Sequence, residues 1–301
     1  MAGADAPRIE QGEAVALVLG AGGARGLAQI GVIQALQARR MRIVAVAGSS
    51  SGALVGAVYA AGKLDEFSDW LTGLRRHQML RLLDPTFGAP SLLAGRRLMG
   101  ALRELTGTVR IEDLPIDFTA VAVDLVRQRE VWLREGDLWE AVRASIAIPG
   151  VFAPYRLHGR ELVDGGLLAP LPITATRLSD AHRLIAVDMH GWPQRPPGQP
   201  ADRGLPGGEV APPRARLSRW LAPRTLGDEG AASPFGFTEL MARSLDTMQA
   251  QIARVQLALD PPELVIRIPR DVCQFYEFWR VRELIAIGRT EAERALDAAG
   301  Y

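Results

Sequence analysis

Cysteine and lysine are almost absent from this chain of 301 residues, which has one of each, Cys273 and Lys63. A single cysteine cannot form an internal disulfide framework or a cysteine-based zinc site. Long apolar runs are also missing, since no stretch approaches the ~18 residues of a membrane-spanning helix. Residues 1–13 are polar and contain three acids, unlike a secretory signal with its basic start and apolar core. These absences predict a cytoplasmic protein, with any membrane contact peripheral at the inner surface.

Charge of one sign is not in excess either. The chain has 35 basic and 34 acidic residues, which give a formal net charge of +1. It therefore lacks the global basic field that is typical of nucleic-acid-binding proteins. What is present is an ordinary globular composition, with 48% hydrophobic and 23% charged residues, in a chain long enough to bury a full core. We expect a folded protein that has no nucleic-acid partner.

Short apolar runs alternate with helical patterns along most of the chain. Residues 14–20 and 43–48 are typical of buried parallel strands, and each precedes a helical pattern. Further strands are predicted at 118–126, 130–133, 155–163, 184–188 and 264–268, and further helices at 137–146, 236–259 and 275–299. This order predicts an α/β fold in which a mainly parallel sheet is covered by helices.

The same patterns predict one domain over residues 14–299, preceded by the polar tail at 1–13. Residues 192–234 interrupt this domain, because they contain nine of the 20 prolines and six glycines. Such a segment is too rich in proline for a regular element and too long for an ordinary loop. Strand and helix patterns resume after it, so we interpret it as an insertion.

A glycine-rich turn, GAGGARG at residues 20–26, follows the first predicted strand. A phosphate-binding P-loop needs Lys and then Ser or Thr after its last glycine, but Leu27 and Ala28 stand there. A dinucleotide site needs an acid about 20 positions further on, and no Asp or Glu occurs between Glu13 and Asp65. Two interpretations stay open. One is a tight structural turn, and the other is an oxyanion hole made of backbone N–H groups at a helix start.

The next predicted strand ends in a second motif, GSSSG at residues 48–52. It fits G-x-S-x-G with Ser50 at the centre, between a strand and a helix, which is the setting of a nucleophile elbow. Ser49 or Ser51 would take that position if the strand ended one residue earlier or later. The structural alternative is a serine-rich helix N-cap.

A nucleophilic serine needs a base. His182 or His190 would follow Asp164 in the chain order of an α/β-hydrolase triad. Asp164 is itself the other candidate, because it ends an apolar strand and Gly165-Gly166 would fix its carboxylate in a tight turn. An ordinary aspartate has a pKa near 3.9, so this role requires desolvation to raise it. The structural alternative is a simple Asp-Gly turn.

Four ordered stretches of the chain resemble the patatin-like phospholipases, in particular their bacterial branch related to the catalytic domain of neuropathy target esterase. They are LVLGAGGARGLAQIGVIQAL (17–36), VAGSSSGALVGAVYAAG (46–62), RASIAIPGVFAP (143–154) and LVDGGLLAPLP (162–172). Residues 275–296 resemble the closing helix of that family. The resemblance extends from about 14 to 299 without the proline-rich segment.

The resemblance implies a three-layer α/β/α patatin-like fold and a catalytic dyad of Ser50, the nucleophile, and Asp164, the base. It implies hydrolysis of carboxylic esters of (lyso)phospholipids or related lipids through an acyl-enzyme, with no metal or other cofactor. The residues implied for the oxyanion hole are Gly22, Gly23 and Ala24, and those that support the motifs are Arg25, Gly26, Gly48, Gly52, Gly165 and Gly166. Ala21 departs from the family, many members of which have glycine there.

Two further interpretations concern the membrane and the loss of activity. Within the insertion, Leu217, Trp220 and Leu221 share one face if that part is helical, and arginines surround them. This pattern predicts peripheral contact with a membrane, and its alternative is a solvated loop. The alternative to an esterase is a noncatalytic lipid-binding or regulatory protein with the same fold.

Overall fold

The computed structural model describes residues 9–10, 12–82, 84, 93–194 and 237–301 of the chain. Over these residues, apolar runs form the strands of one eight-stranded sheet. The strands are β1 (Ala14–Leu19), β2 (Arg42–Ser49), β3 (Asp117–Asp124), β4 (Arg129–Leu133), β5 (Tyr155–Leu157), β6 (Arg160–Asp164), β7 (Arg183–Gly191) and β8 (Leu264–Pro269).

The strand order is β5-β6-β3-β2-β1-β7-β8, and β4 pairs with β3. The pairs of β1 with β2, β1 with β7, β2 with β3 and β7 with β8 are parallel. The pairs that involve β4, β5 and β6 are antiparallel. The sheet is thus mainly parallel, as the sequence predicts, with an antiparallel edge built from two hairpins.

Helices cover both faces of this sheet. They are α1 (Ala28–Ala38), α2 (Ser51–Ala60), α3 (Leu64–Gly73), α4 (Arg76–Leu82), α5 (Arg96–Thr106), α6 (Leu138–Ser145), α7 (Phe237–Leu259) and α8 (Val281–Ala299). Alternate residues of β1 separate the two faces, because Leu17 and Leu19 lie in the main core whereas Val18 lies in a smaller cluster with Ala253 of α7. The three-layer α/β/α arrangement is therefore confirmed.

The ends of the predicted domain differ in how far the structure describes them. Ile9, from the predicted tail, is buried, and its N–H donates to the Tyr301 hydroxyl at 2.8 Å. Of the predicted insertion, the structure describes Trp192 to Gln194, so Leu217, Trp220 and Leu221 lie outside the described residues. None of the helices in the described part of the chain combines the length and apolar composition of a membrane span.

The closing helix is shorter than predicted, since α8 begins at Val281 after a short 3₁₀ turn rather than at residue 275. Phe275 contacts the glycine-rich turn at residues 20–26 instead. Its carbonyl accepts a hydrogen bond from the N–H of Ala24 at 2.9 Å, and its ring lies where a side chain on Gly23 would be. Phe275 thus packs on the glycine turn and does not form the first turn of α8. Sequence periodicity could not predict this, because the contact joins residues far apart in the chain.

Two glycines allow α1 and α8 to cross closely. A Cβ on Gly288 would overlap the carbonyl of Ala28, and one on Gly31 would overlap the carbonyl of Ile285. We expect Gly288→Ala to lower the free energy of unfolding by about 1–3 kcal/mol, because overpacking forces the helix backbones apart. Urea denaturation of both proteins measures this difference.

The matched control is Gly100→Ala in α5. A methyl group added there meets no atom within 4 Å among the described residues. Because alanine favours a helix by about 1 kcal/mol over glycine, this variant is expected to be slightly more stable than the parent. Equal effects of the two substitutions would contradict the close crossing of α1 and α8.

Candidate active site

The candidate nucleophile and base come from two strands whose ends meet on β3. The last residue of β2, Ser49, pairs with Val121 of β3. β6 arrives from the opposite direction, and its last residue, Asp164, pairs with the next residue of β3, Ala122. β2 and β6 both end at this point, so Ser50, the residue after Ser49, is brought to the end of β6. The structure therefore brings together two residues that lie 114 positions apart in the sequence.

Ser50 occupies a strained backbone turn between β2 and α2. Its φ of 56° and ψ of −124° are unusual for a residue with a side chain. Gly48 and Gly52 make the turn possible, because a Cβ on Gly48 would collide with Gly52 and one on Gly52 would overlap the carbonyl of Leu19. Strain of this kind persists only where the surroundings over-determine it, and it is frequent at active sites. The geometry is that of a nucleophile elbow.

The end of α6 holds both strand ends in place. The hydroxyl of Ser145 donates to the carbonyl of Val121 at 2.6 Å and accepts from the N–H of Ser50 at 3.0 Å. Two residues later, the carbonyl of Ala147 accepts from the N–H of Asp164 at 3.0 Å. Ser145 was not among the predicted site residues. The available signal was its place within the matching stretch at 143–154.

The Asp164 carboxyl lies in a fully buried, weakly solvated position, with 1% of the residue exposed. Burial raises the pKa of this carboxyl to about 7, against the opposing effects of the Ser50 hydroxyl and the Gly166 N–H. Oδ1 accepts from the Gly166 N–H at 2.7 Å. Oδ2 has no hydrogen bond of standard geometry in the described structure. A carboxyl with this pKa can exchange a proton near neutral pH, as an ordinary aspartate does not.

The two glycines after Asp164 are required by close contacts. A Cβ on Gly165 would overlap the carbonyl of Val121. A Cβ on Gly166 would come within 2.6 Å of Gln249 Nε2 and 2.8 Å of the Ala21 methyl group. The departure at Ala21 is therefore accommodated inside the turn, because its methyl group faces the bare Cα of Gly166.

The three predicted oxyanion residues differ in what their N–H groups do. The N–H of Gly22 donates to Ser51 Oγ at 3.2 Å, and that of Ala24 donates to the carbonyl of Phe275. The N–H of Gly23 donates to no acceptor within the described residues. Gly23 has a φ of +56°, which glycine adopts without strain. Of the three, Gly23 is thus the residue whose N–H is available to a ligand.

Ser51 adds a second available donor that the sequence analysis did not assign. Ser51 is the first residue of α2, where a backbone N–H has no partner within the helix. Across the described residues, this N–H donates to no backbone carbonyl outside the helix either. The residue after the nucleophile is a common oxyanion donor in serine hydrolases. Its side chain also fixes the glycine turn, because a Cβ on Gly26 would overlap Ser51 Oγ.

Arg25 faces away from this site into a buried charge cluster. Its guanidinium forms an ion pair with Asp246 of α7 and donates to the carbonyl of Arg270 at 2.9 Å. His190 lies between two acids, with Nδ1 at 3.6 Å from Asp188 and Nε2 at 3.5 Å from Asp246. Burial by itself lowers the pKa of His190, but the two neighbouring carboxylates outweigh it, so this pKa lies above its ordinary value. Arg25 thus ties the glycine turn to α7.

The histidines of the alternative triad are engaged elsewhere. His182 precedes β7, and its N–H donates to the carbonyl of Ala14 at the start of β1. Ser50 follows the opposite end of the parallel strands, so His182 is at the far edge of the sheet. His190 is held by Asp188 and Asp246 as described. Within the described residues, no group of three or more His, Cys, Asp or Glu side chains could hold a metal ion.

Comparisons with known proteins identify the family of this chain. The profile of the family described as "Patatin-like phospholipase" matches residues 17–177. An uncharacterised NTE family protein of Mycobacterium tuberculosis is 40% identical, over 98% of this chain and 93% of its own length. Lysophospholipase NTE1 of Saccharomyces cerevisiae is 30% identical, over 65% of this chain and 12% of its own length.

Among solved structures, VipD from Legionella pneumophila matches 97% of this chain and 68% of its own, with a TM-score of 0.46 and 15% identity. The family profile covers more than half of the chain, and the mycobacterial relative covers nearly all of it. The chain therefore belongs to the patatin-like phospholipase family of lipid hydrolases.

Proposed function

We propose that this protein is a serine acyl hydrolase that cleaves carboxylic ester bonds of lysophospholipids or related lipids through a Ser50–Asp164 dyad. The observation that carries the proposal is the meeting of the strained Ser50 with the buried Asp164, whose pKa is raised to about 7. A serine hydroxyl is a weak nucleophile unless an adjacent base takes its proton. Here that base is a carboxylate whose ionisation lies near neutral pH.

In the acylation step, Ser50 Oγ attacks the carbonyl carbon of the ester while Asp164 Oδ2 accepts the hydroxyl proton. The carbonyl oxygen becomes an oxyanion, which accepts hydrogen bonds from the N–H groups of Gly23 and Ser51. Fixed donors of this kind stabilise the charge without reorganisation during the reaction. The C–O bond to the alcohol then breaks, and the alcohol leaves with the proton from Asp164.

In the deacylation step, water replaces the alcohol. Asp164, ionised again, takes a proton from a water molecule while the water oxygen attacks the acyl carbon. The bond to Ser50 Oγ breaks, Oγ recovers the proton from Asp164, and the fatty acid leaves. Every proton transfer is made by one carboxyl, which must be basic in one half-step and acidic in the next. A pKa near the working pH serves both roles.

The substrate class rests on the relatives. The Saccharomyces relative is named a lysophospholipase, and a Yarrowia lipolytica protein of the same name is 32% identical over 60% of this chain and 13% of its own length. A lysophospholipid has one acyl chain and an ester carbonyl close to its polar head. We therefore expect lysophosphatidylcholine to be cleaved, with the fatty acid and a glycerophosphodiester as products.

A serine-reactive fluorophosphonate tests the proposal directly. We expect one label per chain, found by mass spectrometry on the peptide that contains Ser50. Parallel assays measure fatty-acid release from lysophosphatidylcholine, phosphatidylcholine and nitrophenyl esters of graded chain length. A protein that takes no label and cleaves none of these esters would be a noncatalytic member of the family instead.

A further inference from the structure

The outward side of α7 has an apolar stripe that nothing in the described fold covers. The members of this stripe are Met241, Met248, Val255 and Leu259, and all four are exposed. Their spacing of seven, seven and four residues places them within an arc of about 40° on the helix. Isolated exposed apolar residues are normal on a protein surface, whereas a contiguous row of them marks an interaction site.

Few acids lie along the stripe. From Leu240 to Leu259 the only acid is Asp246, and it turns inward to the ion pair with Arg25. Glu239 precedes this stretch, and Asp260, which follows it, is paired with Arg177. On the outward side, the guanidinium of Arg254 lies 5.5 Å from the ring centre of Trp192, which is 76% exposed. An apolar row next to arginine and an exposed tryptophan, with few acids, has the composition of helices that lie in a lipid interface.

The inner side of the same helix contacts the candidate active site. Gln249 is buried beside the turn after Asp164, with Nε2 2.6 Å from the position that a Gly166 Cβ would take. Further along α7, a second contact lies nearer the protein surface, where Gln256 Nε2 is 3.5 Å from the carbonyl of the exposed Leu168. The stripe is thus one helix width from the proposed ester-cleaving residues.

We infer that the α7 stripe docks on the surface of an anionic phospholipid bilayer. Insertion of the four apolar side chains would place Arg254 and Trp192 at the level of the head groups, where arginine is attracted to anionic lipid. This arrangement would open the site toward lipid rather than toward water. The purpose of the docking rests on the proposed function, but the docking itself does not require catalysis.

Binding is therefore measured with the full chain carrying Ser50→Ala, so that no lipid is consumed. Two kinds of vesicle are the probes. In one, roughly a third of the lipid is anionic phosphatidylglycerol and the rest is phosphatidylcholine, and the other is phosphatidylcholine alone. We expect sedimentation with the anionic vesicles, and weaker sedimentation with the neutral ones or at high salt. Failure to bind the anionic vesicles at low salt overturns the inference, whatever the enzyme hydrolyses.

The test variant adds Met241→Gln, Met248→Gln and Val255→Gln to that background, and we expect at least about tenfold weaker binding because buried apolar area is lost. The control changes Leu125 and Val126 to Gln, two exposed apolar residues of the β3–β4 turn, and should bind like the parent. In the active background the stripe variant should retain hydrolysis of soluble nitrophenyl esters. Equal weakening in both variants, or none in either, contradicts the docking surface.

Two other outcomes would contradict the inference, because they give the stripe a different partner or the membrane a different contact surface. If the parent is a dimer in light scattering and the stripe variant is a monomer, the stripe binds a second copy of the chain and the inference is wrong. If Leu217→Ser, Trp220→Ser and Leu221→Ser abolish vesicle binding while the stripe variant binds normally, the contact lies outside the described residues and α7 is not the docking surface.

Discussion

Ser50→Ala is expected to abolish ester hydrolysis while the protein stays folded. The substitution removes the Oγ that forms the acyl-enzyme in the proposed mechanism, and loss of a catalytic serine lowers kcat by at least about 10⁴-fold in comparable hydrolases. Alanine in place of Ser50 keeps the hydrogen bond from its N–H to Ser145, so the turn should survive. The measurements are kcat on a short-chain nitrophenyl ester and the thermal unfolding midpoint.

The neighbouring serines are matched controls for the register. Ser49 is fully buried, and its hydroxyl donates to the carbonyl of Ala169 at 2.6 Å, so Ser49→Ala should cost stability, about 1–3 kcal/mol, but not kcat. Ser51→Ala removes the acceptor of the Gly22 N–H and should lower kcat without abolishing it. Full activity in Ser50→Ala, with loss in either control, would show that a different serine is the nucleophile.

The fold could be predicted because its strands are locally encoded. Residues 14–20 and 43–48 are apolar on both faces, as strands in the middle of a parallel sheet must be, and β1 and β2 form there. Strand structure is predicted at 155–163, and the structure divides this stretch into β5 and β6 at His158 and Gly159, which both adopt positive φ. The start of α8 was predicted six residues too early, because the contact of Phe275 with the glycine turn depends on tertiary structure.

The arrangement of the site was less accessible from sequence. The GSSSG motif marks Ser50 by its strand–turn–helix setting, and the desolvation that Asp164 would need could be stated in advance. The order of the strands could not be predicted, because β6 meets the end of β2 only through the pairing of both with β3, in which β2 runs parallel and β6 antiparallel. Ser145, which holds Ser50 in position, lies on a helix whose pattern indicates only packing.

Asp164→Asn is expected to be nearly as damaging to activity as Ser50→Ala. Asparagine keeps the shape, and its oxygen can still accept from the Gly166 N–H, but it cannot take a proton from Ser50. Loss of a general base costs up to about 10⁴-fold in rate. In the parent, kcat/KM for a soluble ester should rise as the pH increases toward 7 and level off above it, since burial raises the pKa of Asp164 to about 7.

Histidine variants separate this dyad from a triad. His182→Ala should leave kcat unchanged, because His182 lies at the far edge of the sheet. His190→Gln alters the cluster with Asp188 and Asp246, so its effect should appear as lower stability, while the pH dependence of kcat/KM stays that of the parent. If His190→Gln abolished activity in a stably folded protein, the base would be a histidine.

The stability of Asp164→Asn should change in the opposite direction from its activity. The folded pKa of Asp164 is raised to about 7, so the favourable contribution of this carboxyl is complete below the unfolded pKa of about 3.9 and is lost as the pH rises through 7. Asparagine has no such loss, so the variant should be more stable than the parent at pH 8, and by a smaller margin at pH 5. Urea denaturation at both values measures the margin. An inactive variant with the same margin at pH 5 and pH 8 would mean that the Asp164 carboxyl does not titrate in this range, and the base would then have to be sought elsewhere.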